Sequence, residues 1–385
     1  MGGVFVRCLY PSVDTVLPNV RLDGLTILIT GVSLGGIGFE TSRSLVERGA
    51  RVIMASRNRG KMEFAKCEIE RRLKNVQSRC GTIALIELDV SDLVSIEQCV
   101  TRLGQLNIHH LNAVIHNAGI LAAGGDRYLL SPQGIELTMA TNYLGAFYLS
   151  DQLIPLLLAG SAHQLAHYPE SPYISRLVHV TSSAHQWSTI PDAPSRIESR
   201  FQPKAEYYDV WESYANSKHC QMLHTYALSQ RYDPHRELQV FSAHPGVVYT
   251  SIGHSWYFRM ICCLGYTCFK TVSQGAATNV YLICQDRHEL VDENGSYFDN
   301  LRPAHVAPRF RQQELVSRLW EYSMRVIREF KEERRQATSS LLPSSAVSPR
   351  AQIDPQDDIP DANDPLERHQ LLASPDKLSL VHTID

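Results

Sequence analysis

The sequence predicts an α/β fold: one domain built on a doubly wound, about seven-stranded parallel sheet with helices on both faces. Three observations predict it. Short apolar runs alternate with longer segments of helical period from about residue 22 to residue 333. The runs are apolar throughout rather than at every second position, as strands covered on both faces are. A turn dense in glycine, TGVSLGGIG (Thr30 to Gly38), joins the first run to the first helical segment.

The first unit is LTILIT (25–30) followed by GFETSRSLVERGA; RVIMAS (51–56) precedes RGKMEFAKCEIERRL, and TIALIELDV (82–90) precedes LVSIEQCVTRLGQL. Strand, helix and strand repeated in this way imply right-handed crossovers and parallel pairing. LNAVIH (111–116), a long helix near 133–158, ISRLVHVTS (174–182), a helix near 211–232 and LQVFSAHPG (238–246) continue the series. Helices near 272–286 and 309–333 flank a short strand, SYFDN. The stretches 160–173 and 186–210 read as excursions from the core. Residues 1–21 are an N-terminal extension to the domain at 22–333. From Ala337 to Asp385 the chain is rich in Pro, Ser and Asp with no sustained apolar period, so this acidic tail is expected to be disordered.

The formal net charge is −3. Residues 351–385 hold eight Asp or Glu against Arg368 and Lys377, which leaves the remainder near +3. Such a balance lacks the clustered Lys and Arg of a nucleic-acid footprint. The nine cysteines are scattered through apolar segments without paired spacing, as reduced core thiols in a reducing compartment are. The first twenty residues carry neither the apolar core of a signal peptide nor the length of a membrane span. Gly2 follows Met1, but Val6 stands where a myristoylation signal wants Ser or Thr. A cytoplasmic protein is expected.

The stretch TGVSLGGIG ends a buried strand and opens a helix, the setting of a Rossmann-type dinucleotide site. The first helical N–H groups lack intrahelical partners and the helix dipole adds positive charge, so a pyrophosphate can be held there. Glycine allows the backbone to turn sharply and approach the phosphates closely. After the second strand stands MASRN. An Asp or Glu there grips a ribose 2′-hydroxyl, whereas Arg57, with Arg59 beside it, offers a guanidinium to a 2′-phosphate. NADP(H) is therefore expected over NAD, against the plainer reading of solvated arginines. In YANSK, Tyr214 and Lys218 share one helix face. Bringing a phenol from a pKa near 10 to about 7 takes about 4 kcal/mol, which a unit charge about 4 Å away supplies at an effective dielectric near 20. Alone, the pair also suits an ordinary exposed helix face.

Taken in order, TG with the following GIG, HNAG (116–119), Asn142 in TNYLGAFYL, VTSS (180–183), YANSK and HPGVVYT (244–250) resemble the motifs of the short-chain dehydrogenase/reductases. Within that family the branch of retinol dehydrogenases and WW domain-containing oxidoreductases is the most similar, over residues 22–330. The phrases SRNRGK, SWYFRM and QGAATNVYL and the long insert before YANSK carry the likeness to that branch, although no paired tryptophans of a WW domain precede Leu22. The resemblance implies an enzyme acting on CH–OH donors. Tyr214 is the general acid in reduction and base in oxidation, Lys218 lowers its pKa and binds the nicotinamide ribose, and Ser182, with Ser183 as fallback, holds the carbonyl. Asn142 holds a water that links to the lysine. Gly31, Ser33, Gly36, Ile37 and Gly38 hold the pyrophosphate, Asp89 and Val90 cap the adenine, and Asn117, Ala118 and Gly119 line the adenosine side. Pro245 and Gly246 close over the nicotinamide, and Thr250 reaches its carboxamide.

This sequence departs from the pattern in three places. Four residues, Val32 to Gly35, separate TG from GIG, one more than usual, so that Gly35 either bulges outward or displaces the phosphate cradle. His116 and His179 replace customary asparagines. The two excursions flank the serine. The sixteen histidines show no ligand spacing on a helix, and no metal is expected. The run WYFRMICCLGYTCF (256–269) reads as a lid over an apolar substrate, as a helix dipping into a membrane interface such as that of the endoplasmic reticulum, or as core. The expected substrate is an apolar alcohol or carbonyl such as a retinoid, steroid or lipid aldehyde. A homodimer is left open. The alternative function is a nucleotide-binding scaffold that acts in signalling through its tail.

Overall fold

A computed structural model describes residues 10–76, 79–121, 127–171, 173–190, 198–203, 205–248 and 270–341. Strands β1 (Thr26–Thr30), β2 (Arg51–Ser56), β3 (Ile83–Glu87), β4 (Ala113–His116), β5 (Arg176–Val180), β6 (Gln239–His244), β7 (Tyr297–Asp299) and β8 (Arg302–Pro303) form one sheet in the order β3-β2-β1-β4-β5-β6-β7-β8. The pairs from β3 to β7 are parallel, and β8 is an antiparallel edge of two residues. The sheet thus has eight strands where about seven are expected. The extra one is too short to leave an apolar signature.

Successive strand residues point into opposite layers. Leu28, Ile53, Val114, Leu177 and Val240 enter one core cluster, and their neighbours Ile27, Val52, Ala113, Val178 and Phe241 enter the other. Helices α3 (Leu93–Gln105), α4 (Gly145–His167), α5 (Val210–Ser229) and α7 (Gln313–Leu341) cover the first. Helices α1 (Ile37–Glu47), α2 (Arg59–Leu73) and α6 (Val272–Cys284) cover the second. This is the double winding expected. Residues from Tyr10 onward pack on the same body: Val13 and Val16 are buried, and their carbonyls accept from Arg48 Nη2 at 3.0 and 2.8 Å.

Two helices run longer than their sequence signals. Helix α4 continues to His167, into the excursion expected at 160–173, because Gly160 is a contact residue and not a stop: a Cβ there would lie 2.0 Å from the Leu111 carbonyl oxygen. Helix α7 runs to Leu341 and so includes the first residues of the expected tail. Residues 342–385 lie outside the described residues. Ahead of α4, a short turn (Leu137–Met139) leads into one π turn, Ala140–Leu144, which carries Asn142.

Candidate active site

The strand order reverses between β1 and β4, and ligands of open α/β sheets bind at the carboxyl ends of strands flanking such a point. The expected residues collect there. Gly31 follows β1 with φ +71°, and a Cβ on it would stand 2.5 Å from Ala118 Cα. A Cβ on Gly38 would stand 2.6 Å from Asn117 Nδ2. Only glycine fits either place. Asn117 Nδ2 donates to the carbonyls of Thr30 and Gly31 at 2.9 and 3.1 Å, and the Ala118 N–H donates to Thr30 Oγ1 at 3.0 Å. The β4 end thereby braces the glycine loop. Gly36 caps α1 without any side-chain bond, which leaves the helix's first amides to other acceptors. The additional Gly35 has φ +72° and open space around its Cβ direction, Leu34 beside it is 55 % exposed, and Ser33 accepts from the Gly36 N–H at 3.0 Å. The loop absorbs its extra residue in an outward turn.

The two arginines after β2 differ. Arg59 is turned along α2 onto Glu63, with Nε 3.0 Å from Oε1. Arg57 is 64 % exposed and reaches only to Asp89, Nη1 to Oδ2 4.0 Å. Asp89 itself accepts from the N–H and hydroxyl of Ser91 at 2.9 and 2.7 Å. The following Val90 is buried. Of the two, Arg57 has the looser ion pair.

Asp209 caps α5 by accepting from the Glu212 N–H, and the helix presents Tyr214 and Lys218 one turn apart. The Ser182 side chain lies beside Tyr214 and favours its phenolate. The Ser182 hydroxyl also accepts from the Ala184 N–H at 3.2 Å. Lys218 Nζ lies 5.5 Å from the centre of the Tyr214 ring and donates to the Val180 carbonyl and to Gln221 Oε1, each at 3.0 Å. Asn142 and Ile120 exchange hydrogen bonds of 2.8 and 3.0 Å, and Asn142 Nδ2 also donates to Ser217 Oγ at 3.0 Å. Gly119 lies against both: a Cβ there would be 3.3 Å from Asn142 Oδ1 and 3.5 Å from Lys218 Nζ.

The expected pull of the lysine on the phenol is not what this geometry delivers. Burial raises the Tyr214 pKa above its usual value, opposed in part by the neighbouring Ser182 side chain. Burial also brings the Lys218 ammonium down to about 7. A lysine that gives up its proton so readily carries only part of a positive charge at neutral pH.

Gly246, with φ +81°, packs on Lys270, whose ammonium meets Asn300 Oδ1 and lies 4.8 Å from the Tyr10 ring centre. Pro245 precedes it at the end of β6. Thr250 and the run 256–269 lie outside the described residues. His116 and His179 stack at 4.8 Å inside the sheet, and burial holds the first at about 3 and the second well below its usual value, so both are neutral core imidazoles. Among the described residues no group of three or more His, Cys, Asp or Glu is placed to hold a metal ion.

Two further residues tie the parts together. Glu136 is buried, and its carboxylate accepts from the N–H groups of Thr138 and Met139, from Tyr208 Oη at 3.0 Å and from Ser213 Oγ at 2.5 Å. It fastens the start of α5 to the segment that leads to Asn142. Gln221 is 1 % exposed and donates from Nε2 to the Asn142 carbonyl at 2.8 Å. Its place three residues after Lys218 on one helix was the available signal.

A family model described as short chain dehydrogenase matches residues 25–165. The WW domain-containing oxidoreductase of Drosophila melanogaster is 31 % identical over 333 residues, covering 85 % of this chain and 75 % of that one. Human retinol dehydrogenase 12 is 31 % identical over 314 residues, 80 % of this chain and 88 % of its own. Among solved structures, an uncharacterized protein from Mycobacterium paratuberculosis superposes with a TM-score of 0.59 at 25 % identity, over 82 % of this chain and 97 % of that one. The chain belongs to the short-chain dehydrogenase/reductase family of oxidoreductases, in the branch of the retinol dehydrogenases and WW domain-containing oxidoreductases.

Proposed function

We propose that the protein is an NADP(H)-dependent oxidoreductase that interconverts an apolar alcohol and its carbonyl compound, of the retinoid, steroid or lipid-aldehyde kind. The observation that carries this reading is the gathering of Ser182, Tyr214 and Lys218, the last with its Nζ 5.5 Å from the Tyr214 ring centre, at the carboxyl edge of the sheet. The residues suit a nicotinamide dinucleotide. Gly31 and Gly38 let the glycine loop close directly onto Ala118 and Asn117, the amides of α1 lack a side-chain cap, and the exposed Arg57 can reach a 2′-phosphate.

When bound, the dinucleotide supplies or takes up a hydride at the substrate carbon. In the reducing direction, Ser182 holds the carbonyl oxygen by a hydrogen bond. Tyr214 gives its phenolic proton to that oxygen as negative charge develops, which yields the alcohol and leaves a phenolate. Lys218 would hold the ribose hydroxyls of the dinucleotide, and in its protonated fraction it favours the phenolate. In oxidation Tyr214 receives the proton instead. Asn142 fixes the turn at Ile120 and supports Ser217 beneath the pair. The likeness to retinol dehydrogenases supports an apolar substrate, and the apolar run 256–269 supports a cytoplasmic protein in peripheral contact with membranes such as the endoplasmic reticulum. No helix among the described residues is long and apolar enough to cross a membrane.

The test is a fluorescence titration with NADPH and NADH followed by a panel of retinals, medium-chain aldehydes and ketosteroids. Tighter binding of NADPH and turnover of at least one apolar carbonyl are expected. Binding of neither dinucleotide, or binding with no turnover across the panel, overturns the reading.

A further inference from the structure

We infer that Gln221 is the positioning residue of the Tyr214–Lys218 pair, its side-chain amide bridging the main-chain carbonyl of Asn142 and the ammonium of Lys218. The inference rests on the proposed function for its catalytic part. The bridge has defined ends: Nε2 donates to the Asn142 oxygen at 2.8 Å, and Oε1 accepts from Lys218 Nζ at 3.0 Å. Both side chains are buried, Gln221 at 1 % and Lys218 at 4 % exposure, so water competes for neither bond.

The geometry decides what the lysine can do. Two of the three N–H bonds of its ammonium are committed, one to Val180 and one to Gln221. The span from the Asn142 carbonyl to Lys218, where family resemblance implies a water, holds this amide. An amide accepts and donates but does not readily exchange a proton through itself, so Gln221 fixes Lys218 without relaying protons to it. The carbonyl it grips belongs to the π turn that also presents the Asn142 side chain, and such turns recur at functional sites. The titratable groups that face Lys218 are Tyr214 on its own helix, His179 on β5 and His244 on β6. Gln221 is neutral, so replacing it with a carboxylate of nearly the same shape adds one charge to that set and gives up the donation to the Asn142 carbonyl.

The test compares wild type with Gln221→Glu and Gln221→Leu in the full chain. The Lys218 midpoint is read by ¹³Cε-lysine NMR in the dinucleotide-free protein, with the resonance assigned by its loss in Lys218→Met. The glutamate should raise the midpoint by about one pH unit or more, and the leucine, which removes an acceptor from the ammonium, should lower it. In the pH profile of kcat/KM the same limb should move. In Gln221→Leu, kcat should fall about tenfold or more with the carbonyl KM changed less than about twofold, since Gln221 touches no substrate. A residue that served packing alone would leave the midpoint of Gln221→Leu where it is in wild type. Midpoints that coincide in wild type and Gln221→Glu overturn the inference, and this isosteric variant decides the matter even if the leucine variant fails to fold. Diverging midpoints in a protein that turns over no substrate leave the positioning role standing and remove the proposed function. Turnover with coincident midpoints does the reverse.

Discussion

Lys218 Nζ sits 5.5 Å from the centre of the Tyr214 ring while donating to the carbonyl of Val180 at 3.0 Å. The lysine is thus held by strand β5 and faces the phenol's ring, at the cost of burying its charge. Its value in the folded protein is about 7, against 10.5 for an ordinary lysine. Below about pH 7 it is charged in both folded and unfolded chains, and the folded state bears the desolvation. Between the two values the folded lysine is neutral while the unfolded one is charged, so unfolding takes up a proton and stability rises with pH. The slope reaches about 1.4 kcal/mol per pH unit for one group. Lys218→Met should therefore be more stable than wild type at pH 6.5, with the difference shrinking by pH 9.5, and should be catalytically dead. Urea melts at the two pH values read this directly; a gap independent of pH counts against the buried lysine's low value.

Arg57 and Arg59 stand two residues apart, and Arg57 is the less engaged, its Nη1 4.0 Å from Asp89 while Arg59 Nε lies 3.0 Å from Glu63. A charged hydrogen bond to a 2′-phosphate is worth about 1.5–3 kcal/mol, so Arg57→Ala should weaken NADPH binding about 10- to 100-fold. NADH binding should change less than about twofold, and Arg59→Ala should affect neither by more than that. Equal losses for both dinucleotides on removing Arg57 would dismiss its assignment to the phosphate.

The buried Glu136 carboxylate satisfies four donors from two segments. An amide offers one acceptor oxygen and turns its NH₂ toward groups that also donate. Glu136→Gln should cost about 2–4 kcal/mol in chemical unfolding, because buried polar groups lose their partners. It should also loosen Ser213 and so lower kcat, while Glu136→Asp, which keeps the charge, should recover part of both. A loss within about 0.5 kcal/mol, the range of an ordinary surface change, is the outcome that contradicts this role.

Much of the fold was legible because its signals are local. Buried parallel strands are apolar throughout, and helices such as α1 and α3 show their period within a dozen residues. Tyr214 and Lys218 were legible because four positions on a helix make one face. What escaped depends on contacts between distant segments. Gln221 reaches Asn142 across 79 positions and Glu136 reaches Ser213 across 77, and neither spacing leaves a local mark. Gly160 looks like a helix stop until the Leu111 carbonyl is seen to need its missing side chain. The continuation of α7 beyond 333 was missed because the residues after it carry no apolar period, although RRQA are good helix formers. The phenol's pKa was misjudged because a spacing argument supplies the lysine's charge and omits the burial that both groups undergo.

The central claim is that Tyr214 carries the proton in a reaction of a bound nicotinamide dinucleotide. The direct measurement is NADPH oxidation, followed by absorbance, with the best carbonyl of the panel, for wild type and Tyr214→Phe, alongside NADPH titration of each. The account predicts that both bind NADPH with similar affinity and that the phenylalanine variant is slower by about 100-fold or more, the range of a lost general acid. Equal rates in the two proteins would contradict it.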